Sequence, residues 1–387
     1  MATLQANWNY PNAIRTGAGR LVELPQLCEE AGIKAPLLVT DPGLVTQPMV
    51  ADARSLCEDH GLSCGLFSQV QSNPTGENID AGVAAYRDGA HDGVIALGGG
   101  SALDAGKAIA LMVGQSRPLW DFEDRGDNWT RVNTAGIAPV IAIPTTAGTG
   151  SEVGRASVIT HAGQRVKKII FHPLMLPRFV LLDPELTVSL PAHITAATGM
   201  DALSHCLEAF CAPSYHPMAD GIALEGIRLV HDHLERAFTN GQDLEARAQM
   251  QVASTMGATA FQKGLGGMHA LAHSLGAIYG AHHGLLNAIL MPYILKANRT
   301  AVEPRIEQLA RYLGLPKANF EGFMDWILSL RTRLGIPHRL TEIGIDEEKA
   351  ALVGQMAAQD PSAEGNPVAL GAEQYSALFV QAVRGTL

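Results

Sequence analysis

No uninterrupted apolar run in these 387 residues approaches the roughly 20 that a membrane-spanning helix requires. The greasiest stretch, 284–295, is broken by Asn287 and Pro292, so no membrane partner is expected. The opening MATLQANWNYPN lacks a basic region followed by an apolar stretch, so no secretory signal is visible and cytoplasmic residence is the default expectation. Cysteine is scarce: Cys28, Cys57, Cys64, Cys206 and Cys211 are scattered and odd in number, a usage that excludes a disulfide framework and fits reduced thiols. Basic clusters are absent too. With 28 Lys+Arg against 38 Asp+Glu the net charge is −10, which repels a nucleic-acid backbone. Internal repeats and low-complexity tracts are also missing, and strand signals stop beyond Thr187.

What is present before that point is an alternation. PLLVT (36–40), LSCGLFS (62–68), DGVIAL (92–97), PVIAIPT (139–145) and RFVLLD (178–183) read as strands. VELPQLCEEAG, VADARSLCEDHG, IDAGVAAYRDGA and ALDAGKAIALMV read as helices between them. Such alternation predicts an α/β, Rossmann-like domain with a mostly parallel sheet covered by helices. Beyond it lie helix after helix, beginning with PAHITAATGMDALSHCLEAF, so the expected division is an α/β domain over 1–186 and an all-helical domain over 187–387.

Two glycine-rich stretches follow expected strands. After DGVIAL comes GGGSALDAGKAIALMV, where Gly98, Gly99 and Gly100 let backbone amides approach a ligand and Ser101 is the expected N-cap. Strand, glycine turn and helix N-terminus together suit an anionic phosphate, and a tight turn without a ligand reads the same way. Leu103 at the last glycine position excludes the G-x-G-x-x-G fingerprint, and no Gly-Lys-Ser/Thr ending makes it a P-loop. The second stretch, PTTAGTGSEVG, offers hydroxyls and amides from Thr145, Thr146 and Thr149. Asp41, in VTDPG, stands where a carboxylate accepts hydrogen bonds from an adenosine ribose and repels a 2′-phosphate, favouring NAD over NADP. As a plain turn residue Asp41 is equally well accounted for.

The helical half carries the metal chemistry. Asp201 and His205 form a D-x3-H pair, and side chains at i and i+4 share a helix face, so both can grip one ion. His269 and His283 follow at H-x13-H in GLGGMHALAHSLGAIYGAHHG. One carboxylate with three imidazoles suits divalent iron or zinc. On spacing alone, His269 and His273 would serve as the second ligand pair.

GGGSALDAGKAIA, the Thr/Gly loop, GMDALSHCLEAF and H-x3-H-x9-H-G together resemble the iron-containing (group III) alcohol dehydrogenase family, in its order and spacings over nearly the whole chain. The resemblance implies a dehydroquinate-synthase-like architecture: an N-terminal nucleotide domain, an all-helical metal domain, a cleft between them, and a homodimer or larger assembly. It implies nicotinamide-dependent interconversion of a small alcohol and its aldehyde, with Fe(II) or Zn(II) at Asp201, His205, His269 and His283. His283 rather than His282 matches the last ligand because Gly284 follows it. His273 matches a histidine near the nicotinamide and off the metal, a candidate proton shuttle. Asp41, Gly99, Gly100, Ser101, Asp104, Thr145, Thr146, Thr149, Lys168 (beside Lys167) and Leu182 fall on or near cofactor-contact positions, with Asn73 and Thr75 toward the adenine side.

Two departures stand out. Gly154-Arg155 replaces the threonine that often follows Ser-Glu-Val, and Asn366-Pro367-Val368 stands where Asn-Pro-Arg is usual. For the substrate, Phe261 is expected to wall the pocket. Lys263 places a cation in the same turn, suited to the carboxylate of an ω-hydroxy acid such as 4-hydroxybutyrate or its semialdehyde. Arg155 is a further cation of that kind. A non-redox relative of dehydroquinate-synthase type calls for a more basic site. A maleylacetate-reductase-like enzyme needs no metal, and a non-catalytic nucleotide-binding protein calls for damaged motifs.

Overall fold

Apolar runs and amphipathic stretches fold largely as their periods require. The computed structural model describes residues 12–164 and 166–387, and the opening segment read above for a targeting signal falls outside them. The chain divides into two compact units, one ending at Ser189 and the other spanning Leu190–Leu387. Among the described residues no helix is long and apolar enough to cross a membrane.

The first unit contains, in chain order, β1 (Ala13–Thr16), α1 (Leu24–Ala31), β2 (Pro36–Val39), α2 (Pro48–Asp59), β3 (Gly65–Phe67), α3 (Gly76–Asp88), β4 (Gly93–Gly98), α4 (Gly100–Met112), β5 (Val140–Pro144), β6 (Ala156–His161), β7 (Val166–Phe171) and β8 (Phe179–Leu182). Six strands pair in parallel in the order β1-β8-β5-β4-β2-β3. Strand side chains alternate between faces. Ile95 and Leu97 of β4 therefore join Leu27 and Cys28 of α1 and Val50 and Ala53 of α2 in one core. Ala96, between them, points the other way and meets α4, where a Cβ on Gly106 would come within 2.6 Å of it. Helices thus cover both faces of β4, all of whose residues are buried.

Sequence reading missed two features. β1 is four residues long, with no fully buried position to mark it. β6 and β7 form a separate antiparallel hairpin, Ala156 opposite Phe171 through His161 opposite Val166. Most of its side chains are only partly covered, so polar residues such as Lys167 and Lys168 interrupt the apolar pattern that marks a buried strand.

The second unit consists of α5 (Ala192–Cys211), α6 (Pro217–Thr239), α7 (Leu244–Ala260), α8 (Gly267–Tyr279), α9 (His283–Tyr312), α10 (Phe320–Arg333), α11 (Ala350–Gln359) and α12 (Ala372–Arg384), joined by loops and short 3-10 turns. Every residue of α5 from Thr195 to Cys211 is buried, so this helix is the axis against which α6, α7 and α9 pack. Small residues allow the close approach. A Cβ on Gly226 would stand 2.6 Å from Cys206 Sγ, and one on Gly257 3.1 Å from the same sulfur. Cys206 is packing, as its position beside His205 implied.

Candidate functional site

Four side chains from three helices converge inside the second unit. Asp201 and His205 share a face of α5, His269 lies in the first turn of α8, and His283 opens α9. Gly284 brings α9 onto α5: a Cβ there would lie 2.3 Å from the Ala197 carbonyl oxygen and 3.0 Å from Asp201 Cβ. One ligand atom from each of Asp201, His205, His269 and His283 lies within 4.8 Å of the others. His205 and His269 stack with ring centroids 4.7 Å apart, and His283 lies 5.2 Å from His269.

The electrostatics suit a cation. Burial alone would raise the Asp201 carboxyl, but the three histidines and the Asn287 amide outweigh it and hold it at about 2. Burial, reinforced by His205, pushes His269 well below the ordinary imidazole range, so it stands neutral with a lone pair to give. Asn287 Nδ2 lies 2.8 Å from Asp201 Oδ1, 3.2 Å from His269 Nε2 and 3.1 Å from His283 Nε2. An amide NH2 has two hydrogens to give, and here it faces one carboxylate oxygen and two ring nitrogens in one small volume. Asn287 is fully buried, and its Oδ1 has no partner among the described residues. The residues present fit divalent iron or zinc.

His273, one turn beyond His269, stands outside the group of four. Its Nδ1 lies 3.0 Å from Asp360 Oδ2, and its ring stacks on His283 at 5.2 Å. Burial would raise the Asp360 carboxyl, yet the charge and hydrogen bond of His273, with bonds from Ser362, keep it below its usual range. Phe261 packs its ring 5.2 Å from His205. Lys263 has another use than the one expected. Its side chain is 1% exposed, and Nζ donates to the Phe210 carbonyl and to Asp220. A buried ammonium cannot remain unpaired, and here the helices themselves pair it.

In the first unit the glycine turn sits at a reversal of strand order. From β2 the chain passes outward to β3, whereas from neighbouring β4 it passes the other way to β5, and open α/β sheets bind ligands where adjacent strands diverge in this manner. Asp41 follows β2. Its Oδ1 accepts the Gly43 and Leu44 amides at 2.8 and 3.1 Å, and its Oδ2 would be 3.5 Å from a Cβ on Gly98. Gly98 has φ of +147°, a conformation that favours glycine. Gly99, not Ser101, is the N-cap of α4; Ser101 is already helical and its Oγ donates to the Ser72 carbonyl. Three glycines without side chains let the helix begin earlier than the serine suggested.

The Thr/Gly loop lies against this turn. A Cβ on Gly99 would be 3.5 Å from Thr146, and one on Gly100 only 2.6 Å from Thr149. Thr145 is buried, its amide bonded to the Gly98 carbonyl at 3.0 Å. Asp104 ties the loops together by accepting from Ser151 Oγ and, at 2.9 Å, from the Val158 amide. Lys168 pairs with Glu123 at 2.9 Å, and buried Leu182 ends β8. Thr75 caps α3 in a reciprocal box with Asn78, following exposed Asn73.

Residues 11–184 match the iron-containing alcohol dehydrogenase family, and residues 195–383 match the C-terminal region of the Fe-containing alcohol dehydrogenase family. The chain belongs to the iron-containing alcohol dehydrogenase family. The 4-hydroxybutyrate dehydrogenase of Cupriavidus necator is 39% identical over 97% of this chain and 99% of its own length. The crystal structure of a 1,3-propanediol oxidoreductase superposes with a TM-score of 0.93 at 32% identity, covering 98% of this chain and all of that one. The sulfoacetaldehyde reductase of Bifidobacterium kashiwanohense, solved in complex with NAD+, gives 0.88 at 30% identity over 98% of this chain and 99% of its own.

Within this iron-containing dehydrogenase, three buried polar residues escaped sequence reading. Glu208 meets His269, Asn287 meets three of the four converging side chains, and Lys107 joins α4 to the second loop through Ser151 and Ala156 carbonyls. Their signals existed. Asp201, His205 and Glu208 follow the 0, 4, 7 spacing of one helix face, and Asn287 is the residue that interrupts the greasiest run. Asn366, at one departure from the family pattern, is buried. It accepts from the Gly267 amide at 3.0 Å and exchanges hydrogen bonds with Asn298.

Proposed function

We propose that this oxidoreductase interconverts small primary alcohols and their aldehydes with NAD(H). In this reading Asp201, His205, His269 and His283 hold Fe(II), or Zn(II) in its place. The observation that carries the reading is the convergence of one carboxylate and three imidazoles within 4.8 Å. When bound, the metal supplies Lewis acidity to the substrate oxygen, and the nicotinamide supplies the hydride chemistry.

The chain's own residues bind, orient and move protons. Amides at Gly99, Gly100 and Ser101, opening a 13-residue helix, face the cofactor pyrophosphate, with Thr145, Thr146 and Thr149 opposite. Asp41 receives the adenosine ribose and disfavours a 2′-phosphate; Asn73 and Thr75 lie toward the adenine, and Asp104, Lys168 and Leu182 support the same site. His273, held at Nδ1 by Asp360, passes the proton to water at Nε2. Phe261 walls the substrate. We assign a carboxylate-bearing substrate of the 4-hydroxybutyrate and succinic semialdehyde type, on the likeness to the Cupriavidus necator enzyme rather than on Lys263. A cytoplasmic homodimer completes the proposal.

The test is NADH oxidation by butanal and succinic semialdehyde on chelator-stripped protein, with and without added Fe(II) or Zn(II). The expected result is metal-dependent turnover with a higher kcat/KM for the acid. No turnover with either metal overturns the dehydrogenase reading, and no preference for the acid overturns the substrate assignment.

A further inference from the structure

A helix N-terminus leaves backbone N–H groups without partners inside the helix. The N-cap of helix α8 is Gly266, whose lack of a side chain leaves nothing local to cap them. The partners come from elsewhere in the same unit. Glu208, on α5, accepts the Gly266 amide at Oε2 (2.9 Å) and the Met268 amide at Oε1 (2.7 Å). Asn366 accepts the Gly267 amide at 3.0 Å. Both carboxylate oxygens of Glu208 therefore face donors, and a third donor completes the set: His269 Nδ1 stands 2.6 Å from Oε2. With two backbone N–H groups already donating to it, Glu208 is set up as a carboxylate, and in that form it has only acceptors to offer, so this bond places the His269 proton on Nδ1. The opposite nitrogen agrees. Nε2 stands 3.2 Å from the Asn287 amide nitrogen, a donor whose two hydrogens are shared among three neighbours, so no acceptor there calls for a proton on Nε2.

We propose that Glu208 is the positioning residue of the metal centre, fixing the His269 tautomer and ring direction so that the Nε2 lone pair points at the ion. This rests on the metal reading above. Histidines that ligate metals commonly donate their other nitrogen to a carboxylate, which sets the tautomer. Here the same carboxylate anchors the turn that carries the histidine, so ring and backbone are held from one point. Glu208 touches neither substrate nor cofactor in this role. It acts through His269.

Glu208→Gln is the informative change because it keeps shape and removes one acceptor. With the amide NH2 at the Oε1 position, it opposes the Met268 N–H. With the NH2 at the Oε2 position it opposes the Gly266 N–H and donates to Nδ1, driving the proton to Nε2 and filling the lone pair. Asn366→Ala is the control, since it uncaps the same turn without touching a histidine.

The experiment uses the full chain stripped of metal, with Zn(II) affinity measured by chelator competition, melting of the metal-free form, and histidine ring tautomers read by 15N NMR. Asp201→Asn marks the centre by abolishing the tight Zn(II) site. The expected result for Glu208→Gln is Zn(II) binding weaker by about 10- to 100-fold, with a ring signal moving from the Nδ1–H toward the Nε2–H form. Asn366→Ala is expected to lower the melting temperature while leaving affinity and tautomer in place. Wild-type affinity in Glu208→Gln, with Asp201→Asn still abolishing binding, overturns this inference alone. Parallel losses of affinity and melting temperature in Glu208→Gln and Asn366→Ala also overturn it. If Asp201→Asn binds Zn(II) as the wild type does, the metal reading and this inference fall together.

Discussion

Replacing Gly99 by alanine separates the protein's need for glycine from the ligand's. Gly99 has φ −74° and ψ −177°, an extended conformation open to alanine. An added Cβ would meet Thr146 Cγ2 at 3.5 Å and Oγ1 at 3.7 Å, which is ordinary contact. The fold therefore accepts it, and the roughly 0.4–1 kcal/mol gained from lost unfolded-chain freedom is offset by alanine's poorer N-capping, so stability changes little. If a pyrophosphate approaches the amides of this turn, the methyl stands in its path. Overpacking of one methyl costs about 1–3 kcal/mol, which weakens Kd for NADH roughly 5- to 150-fold. Gly100→Ala differs, because its Cβ would strike Thr149 Cγ2 at 2.6 Å and Oγ1 at 2.9 Å, spreading the two loops in the free protein. NADH fluorescence titration with parallel thermal melts distinguishes the two. Gly99→Ala should keep its melting temperature and lose NADH, whereas Gly100→Ala should lose both. A Gly99→Ala protein that binds NADH like the wild type refutes phosphate binding at this turn.

Two other buried cations make predictions. Lys107 is 1% exposed and donates to the Ser151 carbonyl at 2.9 Å while pairing with Asp104 at 3.2 Å, so Lys107→Met leaves the Ser151 carbonyl without this donor and half-buried Asp104 with only its Ser151 and Val158 donors. We expect a loss of about 1–3 kcal/mol in denaturant unfolding, and a loss below about 0.5 kcal/mol sinks the account of the ammonium as a clamp between the loops. Lys263→Met removes one partner of Asp220, which keeps Arg305 at 2.8 Å, and should cost about 1–3 kcal/mol. The ratio of kcat/KM for succinic semialdehyde over butanal should not move; a selective loss of the acid would return Lys263 to substrate recognition.

Sequence by itself determined the kind of structure and the chemistry on offer. Short continuous apolar runs at 92–97 and 139–145, bounded by glycine and proline, read as strands buried on both faces, and β4 and β5 lie there, because run length and flanking residues are local properties. Asp201 and His205 were legible as a pair because one helical turn places them together without help from the rest of the fold. Tertiary structure decided everything that depends on approach between distant segments. It grouped the histidines: ligand atoms of Asp201, His205, His269 and His283 lie within 4.8 Å of one another, whereas His273, one turn beyond His269, is engaged by Asp360. The same packing turned Lys263 inward to Asp220, faced the Asn287 amide with one carboxylate oxygen and two ring nitrogens, and set Glu208 against an α8 terminus about 60 residues away along the chain. Spacing along a helix reports which side chains share a face. Whether a buried polar group finds its partner depends on which faces meet, and that is settled only when the helices pack.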